Sequence, residues 1–302
     1  MRFSVKAPAT SANLGPGFDT IGIALDIWNS ATIDTDVRED SVTNSGTEAP
    51  LLHGRENLTL SAMRMLAHDH RKTLPPCAIQ ADTRIPVSRG LGSSAAALTM
   101  GLAAANMLLD LGLTDDDLFE RAWAIEGHGD NVGAAIYGGA VMAVPGVRGI
   151  TKLCDTSELN LTCVLFIPDM TGATHAARAA LPATVPHRDA TANVAAVSAL
   201  VVGLVRHDHT LISAGMHDWL HEPYRASLFP HLTPLQEVAR TAGAVGAVLS
   251  GAGPTVLTLV HPDLVENVST AMDRAARDVN TPGRVVQVDP VTRGYEVSER
   301  TD

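Results

Sequence analysis

Cysteines and aromatic residues are scarce in this sequence, and their scarcity limits the chemistry that the chain can carry. The 302 residues include only Cys77, Cys154 and Cys163, and 4% of the residues are aromatic. An odd number of cysteines without a CxxC spacing favours reduced core thiols over disulfides or a zinc site. The low aromatic content argues against a surface on which single-stranded nucleic acid would stack.

The chain also lacks basic patches and long apolar runs. Its formal net charge is −11, whereas a nucleic-acid or anionic-membrane surface needs clustered lysine and arginine. No apolar stretch is both long enough and free enough of polar residues to predict a membrane span. The opening segment MRFSVKAPATSANLG has no apolar centre typical of a signal peptide, so we expect a cytoplasmic protein. A chain with this net charge can still bind a polyphosphate where helix N-termini, a few arginines and a metal ion provide local positive charge.

Length and pattern predict an α+β protein in two parts. The chain of 302 residues is 45% hydrophobic, which is enough for two ordinary cores. We place the parts at residues 1–155 and 156–302, because a buried strand-like run, LTCVLFIPD, begins soon after residue 155. The second part continues with the predicted helices DATANVAAVSALVVGLVRHD and TPLQEVARTAG and two apolar runs in AVGAVLSGAGPTVLTLV.

Several local patterns predict individual elements. Thr114 followed by Asp117 forms a capping-box signature for the helix DDDLFERAWAIEG. The stretch GAAIYGGAVMAVPG predicts a turn followed by a strand, and REDSVTNSGTEAP predicts a polar loop. His217 and His221 are four residues apart on a predicted helix, which is half of a zinc site. No third ligand with suitable spacing is present, so we predict no metal there.

The stretch RGLGSSAAALTMGLAAANMLLDLG combines a glycine-rich turn with a helix-forming run. Gly90 and Gly92 allow positive φ or a close approach to a ligand, and the alanine-rich run favours a helix. The N–H groups around Ser93 and Ser94 lack partners within that helix and carry its positive dipole end, which suits a phosphate. An ordinary glycine-serine helix start that caps itself explains this short pattern about as well.

Two familiar phosphate-binding patterns fit this stretch poorly. A Walker A loop needs GxxxxGK[ST], and the stretch contains no lysine. Gly90, Gly92 and Ala95 match the dinucleotide fingerprint GxGxx[GA], and Asp110 follows about 20 residues later. In that fold the acidic residue ends the next strand, whereas Asp110 ends the same predicted helix, so we consider dinucleotide binding disfavoured.

Several motifs together resemble those of the GHMP kinases, a family of small-molecule kinases. PVSRGLGSSAA at residues 86–96 resembles the family's phosphate-binding motif, and PATSANLGPGFD at 8–19 and SGAGPT at 250–255 lie where the family has two others. PATSANLGPGFD and HEPYR at 221–225 have the form typical of the homoserine kinase branch, and EGHGDNV at 126–132 is a variant of another motif. The resemblance implies a first half like the second domain of ribosomal protein S5 and a ferredoxin-like second half, with ATP and substrate between them.

The resemblance implies where ATP and Mg²⁺ bind. The hydroxyl of Ser94 and the carboxylate of Glu126 would hold Mg²⁺, whereas Glu120 better fits a solvated helix residue. Asn131 would line the site of transfer as a third catalytic residue. Asn57 would meet adenine, although its position alone predicts a helix cap. The implied nucleotide-binding residues are Asn57, Pro86, Val87, Ser88, Arg89, Gly90, Leu91, Gly92, Ser93, Ser94, Ala95 and Ala96.

The same resemblance implies that L-homoserine is the acceptor, phosphorylated by ATP as a step toward threonine. Its carboxylate, ammonium and hydroxyl groups call for cationic donors, a carboxylate and fixed polar groups. Arg178 and Arg225 would address the carboxylate region, while Asn13, Asp19 and His128 would fix the remaining polar groups. Considered singly, each of these residues also has an ordinary explanation as a surface charge, a satisfied histidine or a turn residue.

The chain departs from the family pattern at two positions, and the family leaves the general base unassigned. HGDNV has Gly129 where HPDNV is usual, and TGATHAAR has Ala173 where serine is common. We expect these changes to affect affinity more than reaction type. Mevalonate kinase has its catalytic aspartate near the position of Asp130, whereas homoserine kinases align Asn131 there and manage without a clear protein base. A loose phosphoryl-transfer transition state tolerates that absence.

Two other functions compete with this interpretation. A GHMP kinase for an isoprenoid or sugar alcohol is disfavoured by PATSANLGPGFD and HEPYR. A non-catalytic sensor that only binds nucleotide or amino acid is disfavoured by the presence of both Ser94 and Glu126. A homodimer is common in the family, and we expect no nucleic-acid or membrane partner.

Overall fold

The structure is a computed structural model that describes residues 1–299, and the described chain forms two β-sheets with helices around them. The fold is α+β, as the sequence predicts. The strands of the first sheet are β1 (Arg2–Ala12), β2 (Ile21–Asp34), β3 (Ser41–Ser45), β4 (Ala78–Asp82), β5 (Ala140–Met142), β6 (Thr151–Cys154) and β11 (Glu296–Glu299). The strands of the second sheet are β7 (Thr162–Pro168), β8 (Gly246–Leu249), β9 (Val256–Val260) and β10 (Gly283–Val288).

The first sheet is built around the long hairpin of β1 and β2. Its order is β11-β1-β2-β4-β3, and β5 pairs with the beginning of β2 while β6 pairs with β5. All pairs are antiparallel except β3 with β4. The helices of this half are α1 (Leu58–Asp69), α2 (Ser93–Leu108), α3 (Asp115–Glu126) and α4 (Asp130–Tyr137). Helices α2 and α4 contact β1 and β2, which brings both helix N-termini next to the first sequence motif.

The second sheet has the topology of a ferredoxin-like fold. Its order is β10-β7-β9-β8, and every neighbouring pair is antiparallel. Helices separate β7 from β8 and β9 from β10, which gives the βαββαβ sequence of that fold. The helices of this half are α5 (Thr174–Ala179), α6 (His187–Arg206), α7 (His209–Gly215), α8 (Glu222–Arg225), α9 (Leu232–Thr241) and α10 (Val265–Asp278).

Strand β7 separates the two main hydrophobic cores. Cys163, Leu165 and Ile167 belong to the large core that also includes residues of the first sheet. Val164 and Phe166 belong to the smaller core formed with α9 and α10. Because successive side chains of a strand point to opposite faces, the continuous apolar run of this strand reflects a sheet covered on both sides.

The last described strand lies away from the sheet formed by its sequence neighbours. Strand β11 pairs with β1 of the first sheet, with Phe3 opposite Glu299 and Lys6 opposite Glu296. The division at residues 155 and 156 stays a prediction, and residues 296–299 return to the sheet of the first half.

The structure differs from three local predictions. Ser41–Ser45, within the predicted polar loop, forms β3 because it pairs in parallel with β4. Asp130–Tyr137 forms helix α4, and the second half of this helix lies in the stretch GAAIYGGAVMAVPG, for which the sequence predicts a turn. His217 and His221 lie outside any helix, in the segment between α7 and α8. The predicted capping box of Thr114 and Asp117 is present at the start of α3.

Helix α6 contradicts the expectation that no segment is suited to a membrane span. By length and composition alone, His187–Arg206 is long and apolar enough to cross a membrane. It packs against α7, and its outward-facing side chains include Val194 and Val205. A single helix that meets these two criteria does not by itself indicate a membrane span.

The three cysteines are free and buried, as the sequence predicts. Burial raises the pKa of the Cys77 and Cys154 thiols to about 11, and it also raises the pKa of Cys163. A thiol with a raised pKa stays protonated near neutral pH, so these side chains act as small apolar core residues.

Candidate active site

One cavity of about 430 Å³ collects the residues that the sequence singles out. It is lined by both halves of the chain, including Asn57 and Thr83 of the first half and Arg178 and Arg225 of the second. Every predicted site residue lines it except Ala96, which is buried in the core behind the glycine-rich turn. The sequence motifs, although far apart along the chain, therefore meet around a single space.

The glycine-rich turn opens helix α2 toward this cavity. Gly90 and Gly92 have φ values of 74° and 68°, in the left-handed region that favours glycine. A Cβ atom on Gly92 would lie 1.9 Å from the Thr10 hydroxyl oxygen, so a larger residue would force the loop apart. Gly92 is the N-cap residue, and no side chain caps the helix. The first-turn N–H groups of α2 therefore stay available to an anion, and the self-capping alternative does not apply.

The third motif supports the turn from behind. The hydroxyl of Ser250 donates a hydrogen bond to the Gly90 carbonyl at 2.6 Å, and the hydroxyls of Ser250 and Ser11 are 2.8 Å apart. Both serines are fully buried. These contacts join the first and third motifs to the glycine-rich turn without exposing either hydroxyl to the cavity.

Arg89 has a structural role at the base of the turn. Its guanidinium donates hydrogen bonds to the carbonyl oxygens of Pro168 and Asp169 and forms an ion pair with the buried Glu48 at 3.3 Å. Its side chain thus joins the first half of the chain to the end of β7. The guanidinium of Arg89 is therefore engaged within the protein.

Ser94 and Glu126 meet at the mouth of the turn. The Ser94 hydroxyl donates a hydrogen bond to a carboxylate oxygen of Glu126 at 2.7 Å. Ser94 lies in the first turn of α2 and Glu126 is the last residue of α3. Neither side chain has another hydrogen-bond partner or an ion pair within residues 1–299. A free carboxylate beside a hydroxyl provides the hard oxygen ligands that Mg²⁺ prefers, so the pair fits that ion. Glu120 instead accepts a hydrogen bond from the Gly149 N–H.

Asn57 caps a helix and also lines the cavity. Its side-chain oxygen accepts a hydrogen bond from the Leu60 N–H at 2.9 Å, as the N-cap of α1. The side-chain nitrogen is then the group left to face a ligand. Asn57 thus caps α1 with its side-chain oxygen and lines the cavity at the same time.

Asp19 and Arg178 line the cavity and form a bidentate ion pair. The two nitrogen-to-oxygen distances are 2.9 and 2.8 Å. The hydrogen bonds that Arg178 donates to the Asp19 carboxylate are the main cause of the raised pKa of Arg178. The ring of Phe18 lies below both arginines, 5.7 Å from the Arg178 guanidinium and 5.4 Å from that of Arg225. This aromatic face holds two cations on one side of the cavity.

Asn13 serves mainly to fix the backbone around Asp19. Its φ is 73°, its side-chain oxygen accepts the Asp19 N–H at 3.0 Å, and its side-chain nitrogen donates to the Gly251 carbonyl at 2.9 Å. Only 3% of Asn13 is exposed. The residue therefore joins the first and third motifs and orients Asp19.

Arg225 is a buried cation without a carboxylate partner. It is 2% exposed and donates hydrogen bonds to the carbonyl oxygens of Ala177 and Gly251 and to the Nδ1 atom of His221. Burial is the main cause that lowers the pKa of Arg225. No carboxylate of residues 1–299 lies within salt-bridge distance of it. Such a charge favours an anionic ligand in the cavity.

His221 is a residue whose function the sequence did not predict. Its Nε2 atom donates to the Gly15 carbonyl at 2.8 Å, which leaves Nδ1 to accept from Arg225 at 3.1 Å. Burial is the main cause that lowers its pKa, which favours the neutral ring that this arrangement needs. Its place in HEPYR, four residues before Arg225, was the signal available in the sequence.

His128 and Asp130 form a second pair beside Asp19. His128 Nδ1 and Asp130 Oδ1 are 2.6 Å apart, and the same oxygen accepts the Asn131 N–H at 2.7 Å. Burial lowers the pKa of His128, but the hydrogen bond and charge of Asp130 outweigh it, so the net shift is upward. The ligand atoms of Asp19, His128 and Asp130 lie within 4.8 Å of one another. Because these groups already pair with Arg178 and with each other, we assign no metal to them.

The fold and this site define a class of protein. Residues 57–139 match the family model described as GHMP kinases N terminal domain, and residues 200–278 match GHMP kinases C terminal. Together the two matches cover more than half of the chain. The molecule is a small-molecule kinase of the GHMP type.

Relatives with curated names narrow the class. A homoserine kinase of Crocosphaera subtropica is 39% identical, over 98% of this chain and 97% of that protein. A homoserine kinase of Gloeobacter violaceus is 41% identical, over 89% of this chain and 91% of that protein. The chain therefore belongs to the homoserine kinase branch of the GHMP kinases.

Solved structures agree with this assignment. The crystal structure of homoserine kinase from Cytophaga hutchinsonii matches with a TM-score of 0.85 and 29% identity, covering 98% of this chain and 97% of that one. Mevalonate kinase of L. major, solved with R-mevalonate, matches with a TM-score of 0.71 and 15% identity over 96% of each chain. The second likeness shows the shared fold alone.

Proposed function

We propose that this protein transfers the γ-phosphoryl group of ATP to the side-chain hydroxyl of L-homoserine, giving O-phospho-L-homoserine and ADP as a step toward threonine. The observation that carries the proposal is Arg225, a buried cation without a carboxylate partner that faces the cavity beside Arg178. A GHMP kinase whose acceptor is a sugar or an isoprenoid alcohol without a carboxylate would not need two arginines at the acceptor site. The curated names of the relatives support the same acceptor.

ATP would lie along the turn at the start of α2. Its phosphates would accept hydrogen bonds from the uncapped N–H groups of the first helical turn, with Gly90 and Gly92 allowing the close approach. The base would extend toward Asn57. Ser94 and Glu126 would hold Mg²⁺, which when bound offsets negative charge on the transferring phosphoryl group.

L-Homoserine would lie between the two arginines and Asp19. Arg178 and Arg225 would bind its carboxylate, and Asp19 with His128 would face its ammonium group. Asn131, at the start of α4, would then be next to the hydroxyl that accepts the phosphoryl group. In this arrangement, homoserine held by the arginines of the second half would direct its hydroxyl toward the phosphates at the start of α2.

No residue is required as a strong base. The carboxylate of Asp130 is engaged with His128 and the Asn131 N–H, and only 1% of Asp130 is exposed. In a loose transition state the hydroxyl proton leaves late or passes to the phosphate. Positioning and electrostatic stabilisation would supply most of the rate. We further propose that the enzyme acts in the cytoplasm, and a homodimer is its expected assembly.

The test is ADP release by the purified protein with ATP and Mg²⁺. L-Homoserine is compared with threonine, serine, mevalonate and galactose, each with and without a chelator. Turnover with homoserine alone, abolished by chelation, is the expected result. Turnover on another alcohol would refute the proposed acceptor, and binding without turnover on any of them would favour the sensor.

Two substitutions test the metal-binding pair separately. Ser94→Ala and Glu126→Gln are expected to lower turnover by about tenfold or more and to raise the Mg²⁺ concentration needed for half-maximal rate. Homoserine binding, measured by calorimetry without nucleotide, should change little. A variant with a normal Mg²⁺ requirement would remove its residue from the metal site.

A further inference from the structure

Thr10 lies between the glycine-rich turn that begins α2 and the first turn of α4. It belongs to strand β1 and is fully buried. Its backbone N–H donates to the Leu91 carbonyl at 3.1 Å, and its hydroxyl donates to the side-chain oxygen of Asn131 at 2.8 Å. The residue therefore joins the phosphate-binding turn to the first turn of α4.

The hydroxyl contact decides which end of the Asn131 amide faces the cavity. The side-chain oxygen of Asn131 is occupied by Thr10, and the Asn131 backbone N–H is bound by Asp130. The side-chain nitrogen has no hydrogen-bond partner within residues 1–299, although Asn131 lines the cavity. An amide nitrogen can only donate hydrogen bonds. Asn131 therefore presents a donor to its ligand and cannot accept the proton of the substrate hydroxyl through this group.

Gly92 explains why the hydroxyl can reach Asn131. A Cβ atom on Gly92 would lie 1.9 Å from the Thr10 oxygen and 3.2 Å from the Asn131 oxygen. The two side chains thus meet in space that only a glycine leaves open. The same glycine begins α2, so the orientation of Asn131 is fixed relative to the N–H groups that would bind phosphate.

We propose that Thr10 is a positioning residue that orients the Asn131 amide so that its nitrogen donates to an oxygen of the transferring phosphoryl group. This inference rests on the proposed kinase function and specifies the role of Asn131 within it. A hydrogen-bond donor that is already oriented before the reaction stabilises the charge that develops during phosphoryl transfer, because it does not have to reorganise in the transition state. The contribution should therefore appear in kcat rather than in either KM.

The structure allows a matched pair of variants. Thr10→Val keeps the shape of the side chain and the backbone bond to Leu91 while it removes the hydroxyl. Thr10→Ser keeps the hydroxyl and removes the methyl group. We expect Thr10→Val to lower kcat about tenfold with both KM values within about twofold, and Thr10→Ser to restore most of kcat.

A double-mutant cycle separates positioning from a general effect on the loop. If Thr10 acts through Asn131, Thr10→Val should cause no further loss of kcat in the Asn131→Ala background. Equal losses in both backgrounds would overturn the proposal, as would wild-type kcat in Thr10→Val. Turnover of homoserine by the wild-type protein is measured first, because its absence would refute the proposed function rather than the role of Thr10.

A second measurement does not depend on the folding of Thr10→Val. In Asn131→Asp the Thr10 hydroxyl can still donate to one oxygen, but the other oxygen faces the cavity as a charged acceptor. We expect kcat to fall at least as far as in Asn131→Ala, with the thermal midpoint close to that of the wild type. An Asn131→Asp variant that retains wild-type kcat would refute the role of Asn131 as a donor.

Discussion

Replacing Glu222 with glutamine should remove a part of the folding stability that depends on pH. Glu222 is 8% exposed, and its two carboxylate oxygens accept hydrogen bonds from the Leu249 N–H at 2.7 Å and from the side-chain nitrogen of Gln236 at 2.6 Å. Burial, followed by the nearby charge of Asp218, raises its pKa from 4.5 to about 7, against the lowering effect of those hydrogen bonds. The folded protein thus binds this proton more tightly than the unfolded chain does.

The sign and size of the effect follow from that difference. A carboxyl group whose pKa is higher in the folded state contributes its full stability below the unfolded value of 4.5. This contribution to stability falls as the pH rises from 4.5 to about 7, and it changes no further at higher pH. At about 1.36 kcal/mol per unit of pKa, the loss is on the order of 3 kcal/mol. A glutamine is neutral throughout, and rotation of the Gln236 amide would preserve both hydrogen bonds.

Urea unfolding of wild type and Glu222→Gln at pH values from 4.5 to 8.5 measures this directly. The free energy of unfolding of the variant, relative to wild type, should rise by about 3 kcal/mol between pH 4.5 and 7 and then level off. Subtracting one curve from the other removes the groups that titrate alike in both proteins. Glu237→Gln, at an exposed position of α9, controls for the loss of one carboxylate. Parallel curves for wild type and Glu222→Gln would refute the reasoning.

Three further predictions concern the departures from the family pattern and the substrate site. Gly129→Ala should destabilise by about 1–3 kcal/mol, because its Cβ would lie 2.5 Å from that of the buried Ala143. Added Ala143→Gly should restore most of this loss in urea unfolding, and no restoration would contradict the packing explanation. Ala173→Ser should stabilise by about 0.5–1 kcal/mol, because α5 has no side-chain cap at its N-terminus; an unchanged thermal midpoint would contradict this. Arg225→Leu should raise the homoserine KM at least about tenfold while the ATP KM changes little, and an unchanged homoserine KM would remove Arg225 from the site.

Local sequence patterns predicted several backbone features of the candidate site, because its residues lie in short motifs with fixed backbone requirements. Gly90 and Gly92 take the positive φ values that their pattern implies, and Gly92 leads directly into the predicted helix. Ser94 and Glu126, 32 residues apart, are in contact. The roles that these residues take in binding ATP, Mg²⁺ and homoserine stay predictions until they are tested.

Structural features that depend on partners far away in the chain were not predicted from the sequence. Ser41–Ser45 has mostly polar, exposed side chains typical of a loop, and it becomes a strand only because β4 provides a partner. His221 gains its role from Gly15, which is 206 residues away along the chain. Thr10 gains its role from Asn131, 121 residues away. A single sequence carries no local signal for contacts of this range, because each residue type in isolation is compatible with an ordinary core or turn position.

The return of β11 to the first sheet has a consequence for synthesis and for truncation. During translation, residues 1–155 emerge long before residues 296–299, which cover one edge of β1. Until then the backbone N–H and C=O groups along that edge have no strand partner, and such edges pair readily with other chains. A fragment that ends before Glu296 should therefore self-associate more than the full chain does.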